Sequence, residues 1–376
     1  MTPRVVHAVD RFLTRSETFV YTIVTGHRQY DATVLCHARE NAAEFPFPQV
    51  HVQPRPVSRR TAAWWAAAAI ERATGRSPWR RGVDAALAQI APSVVHAHFG
   101  PIGCEMIPVT RAAGLPLVTS LYGVDAAVLP YLPQWRARYA RLFRDGDLFL
   151  AEGPEMREKV IAAGAPAGRT LVHPIALDLT KYPRWEPDAR ATVLFAGRFV
   201  EKKGLLDAIA AFARARARVP EARLTIVGGG GGEDAARALT ARLGLVGAVE
   251  FAGMQPHVDV IARLAAASVF IHPSATAGDG DSEGGAPTIL LEAQAIGTPI
   301  VTTRHADIPH LVPAGPGVWL CEEHDVDALG DALVVALQQQ TPSSSAHVRA
   351  HHDITAVAPQ LEQIYRRVAA GVALES

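Results

Sequence analysis

Two cations, two glutamates and a series of glycines in the second half of the chain are spaced as a diphosphate site would need them. In Phe195-Ala-Gly-Arg-Phe-Val-Glu-Lys-Lys-Gly204 a strand is expected to end at Gly197, with Arg198 and Lys203 in the turn before a helix. Each can make charge-assisted bonds to phosphate oxygens; the plainer alternative is a pair of solvated loop cations. Next, Leu224-Thr-Ile-Val runs into five glycines, among them Gly230, where backbone can approach a ligand or another loop closely. A flexible turn accounts for these glycines equally well. A third segment, 269–301, takes an apolar strand into a polar loop holding Glu283, Gly284 and Gly285, then a helix opening at Pro287 and Thr288. Proline suits a first helical turn, whose free N–H groups receive anions. Glu283 before that helix and Glu292 inside it could each accept from vicinal sugar hydroxyls. The competing reading is a solvated loop Glu and a surface helix Glu, which the apolar neighbours Ile289, Leu290 and Leu291 oppose.

The elements that must position these residues follow from periodicity. Short β-branched runs at 4–9, 33–36, 94–99, 116–122, 148–151 and 171–173 are read as strands, and so are 192–196, 223–227, 249–252, 269–272, 299–302 and 318–321. Helix-period stretches separate them; Leu205, Leu206, Ile209 and Phe212 are assigned to one helix face. Strand–helix alternation with continuously apolar strands implies parallel sheets covered on both faces. The alternation runs twice, interrupted by the proline-rich, aperiodic 173–188. The expectation is an α/β chain of two Rossmann-like doubly wound domains, facing each other across a cleft. The first spans 1–175 plus a C-terminal helix at about 354–376 that crosses back to it; the second spans 176–353. Ligands of such sheets sit beyond the strands' carboxyl ends, at the switch point.

Composition narrows the classes. Lys plus Arg and Asp plus Glu both number 37, so no overall charge draws the chain to nucleic acid, and no nucleic-acid partner is expected. Three cysteines without a Cys-x-x-Cys pair argue against a disulfide framework or structural zinc. The first ten residues have no long apolar core and no stretch of about 18 apolar residues occurs, so a cytoplasmic protein is expected. Between 55 and 81, seven arginines against Glu71, with Trp64, Trp65 and Trp79, could form a basic amphipathic face on an anionic membrane. Buried tryptophans beneath a solvated basic face explain the segment too. No Gly-x-Gly-x-x-Gly follows the first strand, which disfavours a dinucleotide-dependent dehydrogenase.

In the combination of Gly197-Arg198, Lys203-Gly204, Ile226–Gly230, Phe251-Ala-Gly, His272-Pro-Ser, Glu283-Gly and Leu291-Glu-Ala, the second half resembles the retaining glycosyltransferases of family four, which have the GT-B fold. Through Ser16-Glu-Thr-Phe19, His96-Ala-His-Phe-Gly100 and Tyr122-Gly-Val-Asp125 the first half is similar, more loosely, to members that build bacterial exopolysaccharides such as colanic acid. The resemblance implies that Arg198 and Lys203 hold a donor diphosphate, Glu283 contacts the transferred sugar and Glu292 holds the ribose, with Met254 and Gln255 beside the base. It implies transfer of a hexose from a nucleoside diphosphate sugar to a hydroxyl of a glycan or lipid-linked sugar, with retention. The family encloses seven residues between its two glutamates where this chain has eight, and carries a His where this chain has Tyr122. Tyr can hydrogen-bond there but cannot carry the same charge at neutral pH. His96 and His98 are expected to divide between opposite faces of their strand, His98 turned to the ligand. Asp145-Gly-Asp147 and Asp279-Gly-Asp281 could hold a divalent metal, but Arg198, Lys203 and a helix end already supply positive potential, so no metal or other cofactor is expected. The alternatives are a non-catalytic nucleotide-sugar-binding or scaffold protein, or a sugar-nucleotide epimerase or phosphorylase of the same architecture.

Overall fold

The computed structural model describes residues 2–15, 17–54, 66, 69, 78–188, 191–285 and 287–372. Two compact units result, one of Met1–Ala151, Arg157–Ala176 and Ile354–Ser376, the other of Glu152–Met156 and Leu177–Asp353. Each is built on one sheet whose strands all pair in parallel.

The first sheet comprises β1 (Arg4–Phe12), β2 (Asp31–Arg39), β3 (Val50–Val52), β4 (Val94–His98), β5 (Leu117–Leu121), β6 (Leu148–Ala151) and β7 (Thr170–Val172), ordered β3-β2-β1-β4-β5-β6-β7. The second comprises β8 (Thr192–Arg198), β9 (Arg223–Gly229), β10 (Val249–Gly253), β11 (Val269–His272), β12 (Ile300–Thr303) and β13 (Val318–Cys321), ordered β10-β9-β8-β11-β12-β13. All twelve expected strands are present. The additional β3 is only Val-His-Val, too short and too interrupted to register as an apolar run. In both sheets the strand order reverses beside the first strand, which puts switch points between β1 and β4 and between β8 and β11.

Burial explains the pattern. In the second unit Val193, Phe195, Leu224, Ile226, Val269 and Ile271 interlock with Ile209 and Phe212 of the helix Leu205–Arg218 and with Leu329 and Leu333 of Val326–Gln339. Leu206 departs from expectation: it is 45 % exposed, because only Leu205, Ile209 and Phe212 keep the spacing of the buried stripe. The last helix, Ile354–Ala369, is part of the first unit and buries Val357, Leu361 and Tyr365 against it. Among the described residues no helix is long and apolar enough to cross a membrane.

Gly204 closes the turn after β8 at φ 66°, and a Cβ there would lie 1.9 Å from the Pro273 carbonyl oxygen. Gly244 has nearly the same φ, 69°, with nothing within 4 Å of its Cβ position. Both substitutions to Ala meet the left-handed penalty of about 1–2 kcal/mol, but only Gly204→Ala adds an overlap with backbone, worth about 1–3 kcal/mol more. Urea unfolding should therefore show Gly204→Ala clearly less stable than Gly244→Ala; equal losses would mean the β8 turn yields freely.

Candidate functional site

The turn after β8 and the loop after β11 meet at the second switch point. β8 ends on Arg198, which is exposed, and the single turn Glu201–Lys203 carries the chain to Gly204. Lys203 Nζ lies 2.7 Å from Glu283 Oε1, the two side chains only 13 % and 8 % exposed. Ser274 Oγ donates to the same carboxylate oxygen at 3.2 Å and sits 2.9 Å from His272 Nδ1. His272, the last residue of β11, is fully buried, and its Nε2 has no hydrogen-bond partner. That nitrogen is 3.7 Å from where a Gly197 Cβ would stand, so Gly197 leaves room beside His272 and Lys203. Burial is the largest single influence and works against charge on Glu283, but the Lys203 ammonium, with His272 and Lys202 adding to it, outweighs burial and holds the carboxyl down to about 2. His272 is lowered to about 3, by burial first and then by Lys203, so it is a neutral imidazole at physiological pH.

The glycine-rich loop that brings Glu283 here is tied at several points. The buried Lys202 donates from Nζ to Asp281 Oδ1 and to the Ser282 carbonyl, both at 2.9 Å. Glu201 accepts from Gly278 N at 3.0 Å and Glu323 from Thr276 N at 2.8 Å. His305 accepts from Glu283 N at 3.0 Å through Nε2, so its Nδ1 carries the proton shared with Glu323 Oε1 at 2.6 Å. Asp281 thus serves as the partner of Lys202, while Asp279 accepts from Asp281 N at 2.9 Å. Of the other Asp-x-Asp pair, Asp145 faces Arg141 and Arg144, and Asp147 accepts from Leu117 N at 2.8 Å.

Beyond the loop the helix Thr288–Ile296 begins one residue later than expected. Pro287 is its N-cap, in an extended conformation, and no side chain caps the first turn. Gly284 precedes Gly285, whose N–H donates to Glu152 Oε2 at 2.9 Å. Glu292 is 3 % exposed and accepts from Tyr182 Oη at 3.2 Å and His257 Nε2 at 2.8 Å. Neither glutamate is therefore a solvated surface acid: each holds a polar partner in a buried setting. Met254 is 63 % exposed beside Gly229, and Gln255 donates to the Ala252 carbonyl at 2.6 Å. Gly230, at φ 145°, approaches the backbone of Phe199 and belongs to the same edge of the sheet. Lys202, Tyr182, His257 and His305 escaped the sequence reading, since each acts through a partner distant in sequence. For His272 the signal was present in His272-Pro-Ser.

In the first unit the expectation for His96 and His98 fails. Residues two apart on a strand share a face, and the two rings stack at 4.4 Å, both buried. His98 is closed off, its Nδ1 2.6 Å from the hydroxyl of Tyr122. The half-buried Tyr122 packs against Phe19 and Phe99, and Asp125 accepts from the backbone N–H groups of Tyr122, Gly123 and Gly100 at 2.9–3.0 Å. The basic segment 55–81 lies largely outside the described residues.

The chain is similar to known proteins along most of its length. Residues 16–181 match the profile Glycosyltransferase Family 4, and 183–351 match Glycosyl transferases group 1. The putative colanic acid biosynthesis glycosyltransferase WcaL of Escherichia coli K12 is 34 % identical over 250 residues, 65 % of this chain and 61 % of that protein. AmsK, an amylovoran biosynthesis glycosyltransferase of Erwinia amylovora, is 33 % identical over 225 residues, 59 % of this chain and 55 % of its own length. The chain thus spans less than two thirds of these curated relatives. Anabaena Alr3699/HepE, solved in complex with UDP-glucose, superposes with a TM-score of 0.78 at 19 % identity, covering 96 % of this chain and 99 % of that one.

The depressed Glu283 has a measurable consequence. A carboxyl whose folded pKa lies below its unfolded value stabilises the fold above the unfolded pKa, near 4.5, and loses that contribution as pH falls toward 2. Lys203→Met leaves Glu283 buried and uncompensated, which costs about 3–5 kcal/mol at pH 7. The stability gap between wild type and Lys203→Met should be widest at pH 7 and shrink by pH 3, read from urea melts. A gap independent of pH would show that the two side chains are not coupled.

Proposed function

We propose, for a chain that belongs to the family 4, group 1 glycosyltransferases and has their GT-B fold, that it moves a hexosyl group from a nucleoside diphosphate sugar to a sugar hydroxyl with retention at the anomeric carbon. The observation that carries this reading is the Lys203–Glu283 pair, held at a switch point with the exposed Arg198 and an uncapped helix N-terminus nearby in the fold. Arg198 and Lys203 take the diphosphate, together with the first-turn N–H groups after Pro287. Lys203 exchanges Glu283 for phosphate oxygens, and the released carboxylate accepts from hydroxyls of the transferred sugar. Glu292 accepts from the ribose, while Met254 and Gln255 flank the base. Gly197 keeps a Cβ out of the space beside His272 and Lys203, while Gly230 lies against the Phe199 backbone and Gly285 against Glu152.

In the reaction the bond between the anomeric carbon and the diphosphate oxygen breaks, and the acceptor oxygen bonds the same carbon from the same face. The acceptor proton passes to a phosphate oxygen, and the leaving diphosphate is stabilised by Arg198, Lys203 and the helix end. Preorganised charge of this kind is usually the largest catalytic contribution. The proposed reaction needs no metal, a reading supported by the engagement of Asp281 with Lys202 and by the cations Arg198 and Lys203. The exopolysaccharide enzymes among the relatives support a glycan acceptor, and the UDP-glucose complex of HepE supports a uridine donor; a lipid-linked acceptor, met by a cytoplasmic protein at the inner face of the cell membrane, belongs to the same proposal.

Turnover of a matched donor and acceptor should survive EDTA unchanged. Lys203→Ala and Arg198→Ala should each lose about two to three decades in rate, the equivalent of roughly 2.7–4 kcal/mol, in protein whose circular dichroism is unaltered. Near-normal turnover by Lys203→Ala would remove the diphosphate assignment.

A further inference from the structure

Four histidines of the first unit are buried together on one side of its sheet. His7 pairs in register with His96 across β1 and β4, His98 lies two residues on from His96, and His27 follows the helix Thr18–Gly26. Three of them form a continuous chain. His98 Nδ1 is 2.6 Å from Tyr122 Oη, His98 Nε2 is 2.9 Å from His7 Nδ1, and His7 Nε2 is 2.9 Å from His27 Nε2. His27 Nδ1 then lies 3.5 Å from Glu362 Oε1 on the last helix, an electrostatic contact and not a formed hydrogen bond, since His27 Nδ1 and Glu362 Oε2 are both buried without a hydrogen-bond partner.

We infer that this chain has one fixed proton direction, set by Glu362, and that Glu362, His27, His7 and His98 are positioning residues holding the Tyr122 hydroxyl proton inward. Glu362 Oε1 already accepts the backbone N–H groups of Arg28 at 2.7 Å and Gln29 at 2.8 Å, so that oxygen is an acceptor. Facing it, His27 Nδ1 must carry a proton, because a bare nitrogen lone pair there would be repelled. A neutral imidazole has one donor and one acceptor nitrogen. His27 Nε2 therefore accepts from His7 Nε2–H, His7 Nδ1 accepts from His98 Nε2–H, and His98 Nδ1 accepts the proton of Tyr122. Burial, with mutual repulsion among the rings, keeps His7 and His98 uncharged, and burial lowers His27 against the pull of Glu362.

The remaining groups around the chain leave this direction intact. His96, stacked on His98, has its own partners in Ser120 Oγ at 2.7 Å and Tyr365 Oη at 2.5 Å. His173 is buried and its charge disfavoured, Tyr30 and Tyr365 have raised pKa values through burial, and Arg366 binds the side chain of Gln29. For Tyr122 the consequence is that its only proton is committed to His98.

Nitrogen-15 NMR of the full chain labelled at histidine tests the inference, with two-bond couplings read between pH 5.5 and 8 and resonances assigned by single His→Gln substitutions. The expected result is Nε2–H for His98 and His7, Nδ1–H for His27, and no titration of the three across that range. The opposite tautomers, a protonated ring among them, or a stoichiometric metal found by elemental analysis on His7, His96 and His98, whose nitrogens lie within 4.8 Å of one another, would overturn it. In Glu362→Leu the anchor is gone, and His27 should leave its single Nδ1–H form while the circular dichroism stays native; an unchanged His27 tautomer would show that the direction is set elsewhere. Because no substrate enters these measurements, they stand or fall independently of the transferase reading.

Discussion

A lysine and a glutamate drawn out of water together are the constraint around which the second unit is arranged. Burying either charge alone is costly, and even paired they gain little stability over a well-packed apolar pair. A fold that nonetheless holds Lys203 against Glu283 needs each partner to be delivered accurately. β8 and its left-handed Gly204 deliver the lysine, and a loop tied by Lys202, Glu201, Glu323 and His305 delivers the glutamate. The polar atoms of this region are nearly all spoken for within the protein. The exceptions, such as His272 Nε2, lie where glycine leaves space.

Both units place buried polar groups beside a switch point, and for the same reason. Where strand order reverses, the crossover connections leave in opposite directions, so neither covers the gap and side chains from two neighbouring strands converge. In the second unit β11 contributes the buried His272 there, next to the exposed Arg198 at the end of β8; in the first, β1 and β4 contribute the buried His7, His96 and His98. The chemistry differs. The second unit gathers charge suited to an anion, whereas the first gathers neutral hydrogen-bonding rings that fix a direction.

Much of the architecture was legible because most of the parallel strands are short apolar, β-branched runs, and twelve such runs separated by helical periods leave few alternatives. The short β3, half-covered at an edge, carries no such run. The charged residues were legible by type and place: Arg198 and Lys203 in the turn after a strand, Glu283 in a glycine-rich loop before a helix, and Glu292 among apolar residues of that helix. Their partners were not. Lys202 was passed over beside Lys203, although it is the more buried of the two and holds the loop, because adjacent lysines look alike until a fold decides which one points inward. The histidine cluster was misjudged for a local reason, the two-residue period of a strand, and for a distant one: His7 meets His98 only when β1 pairs with β4, and Glu362 meets His27 only when the last helix packs on the first unit.

The central claim is that the Lys203–Glu283 pair marks a metal-independent site for a nucleoside diphosphate. Its most direct test is a thermal-shift series with UDP, GDP, ADP, dTDP and NAD, each in EDTA. At about a hundredfold excess over the dissociation constant a ligand adds roughly 2.7 kcal/mol, which appears as a rise of a few degrees. The account predicts a rise with at least one nucleoside diphosphate that persists in EDTA and vanishes in Lys203→Ala. A rise with NAD alone, or one that needs a divalent metal, would contradict it.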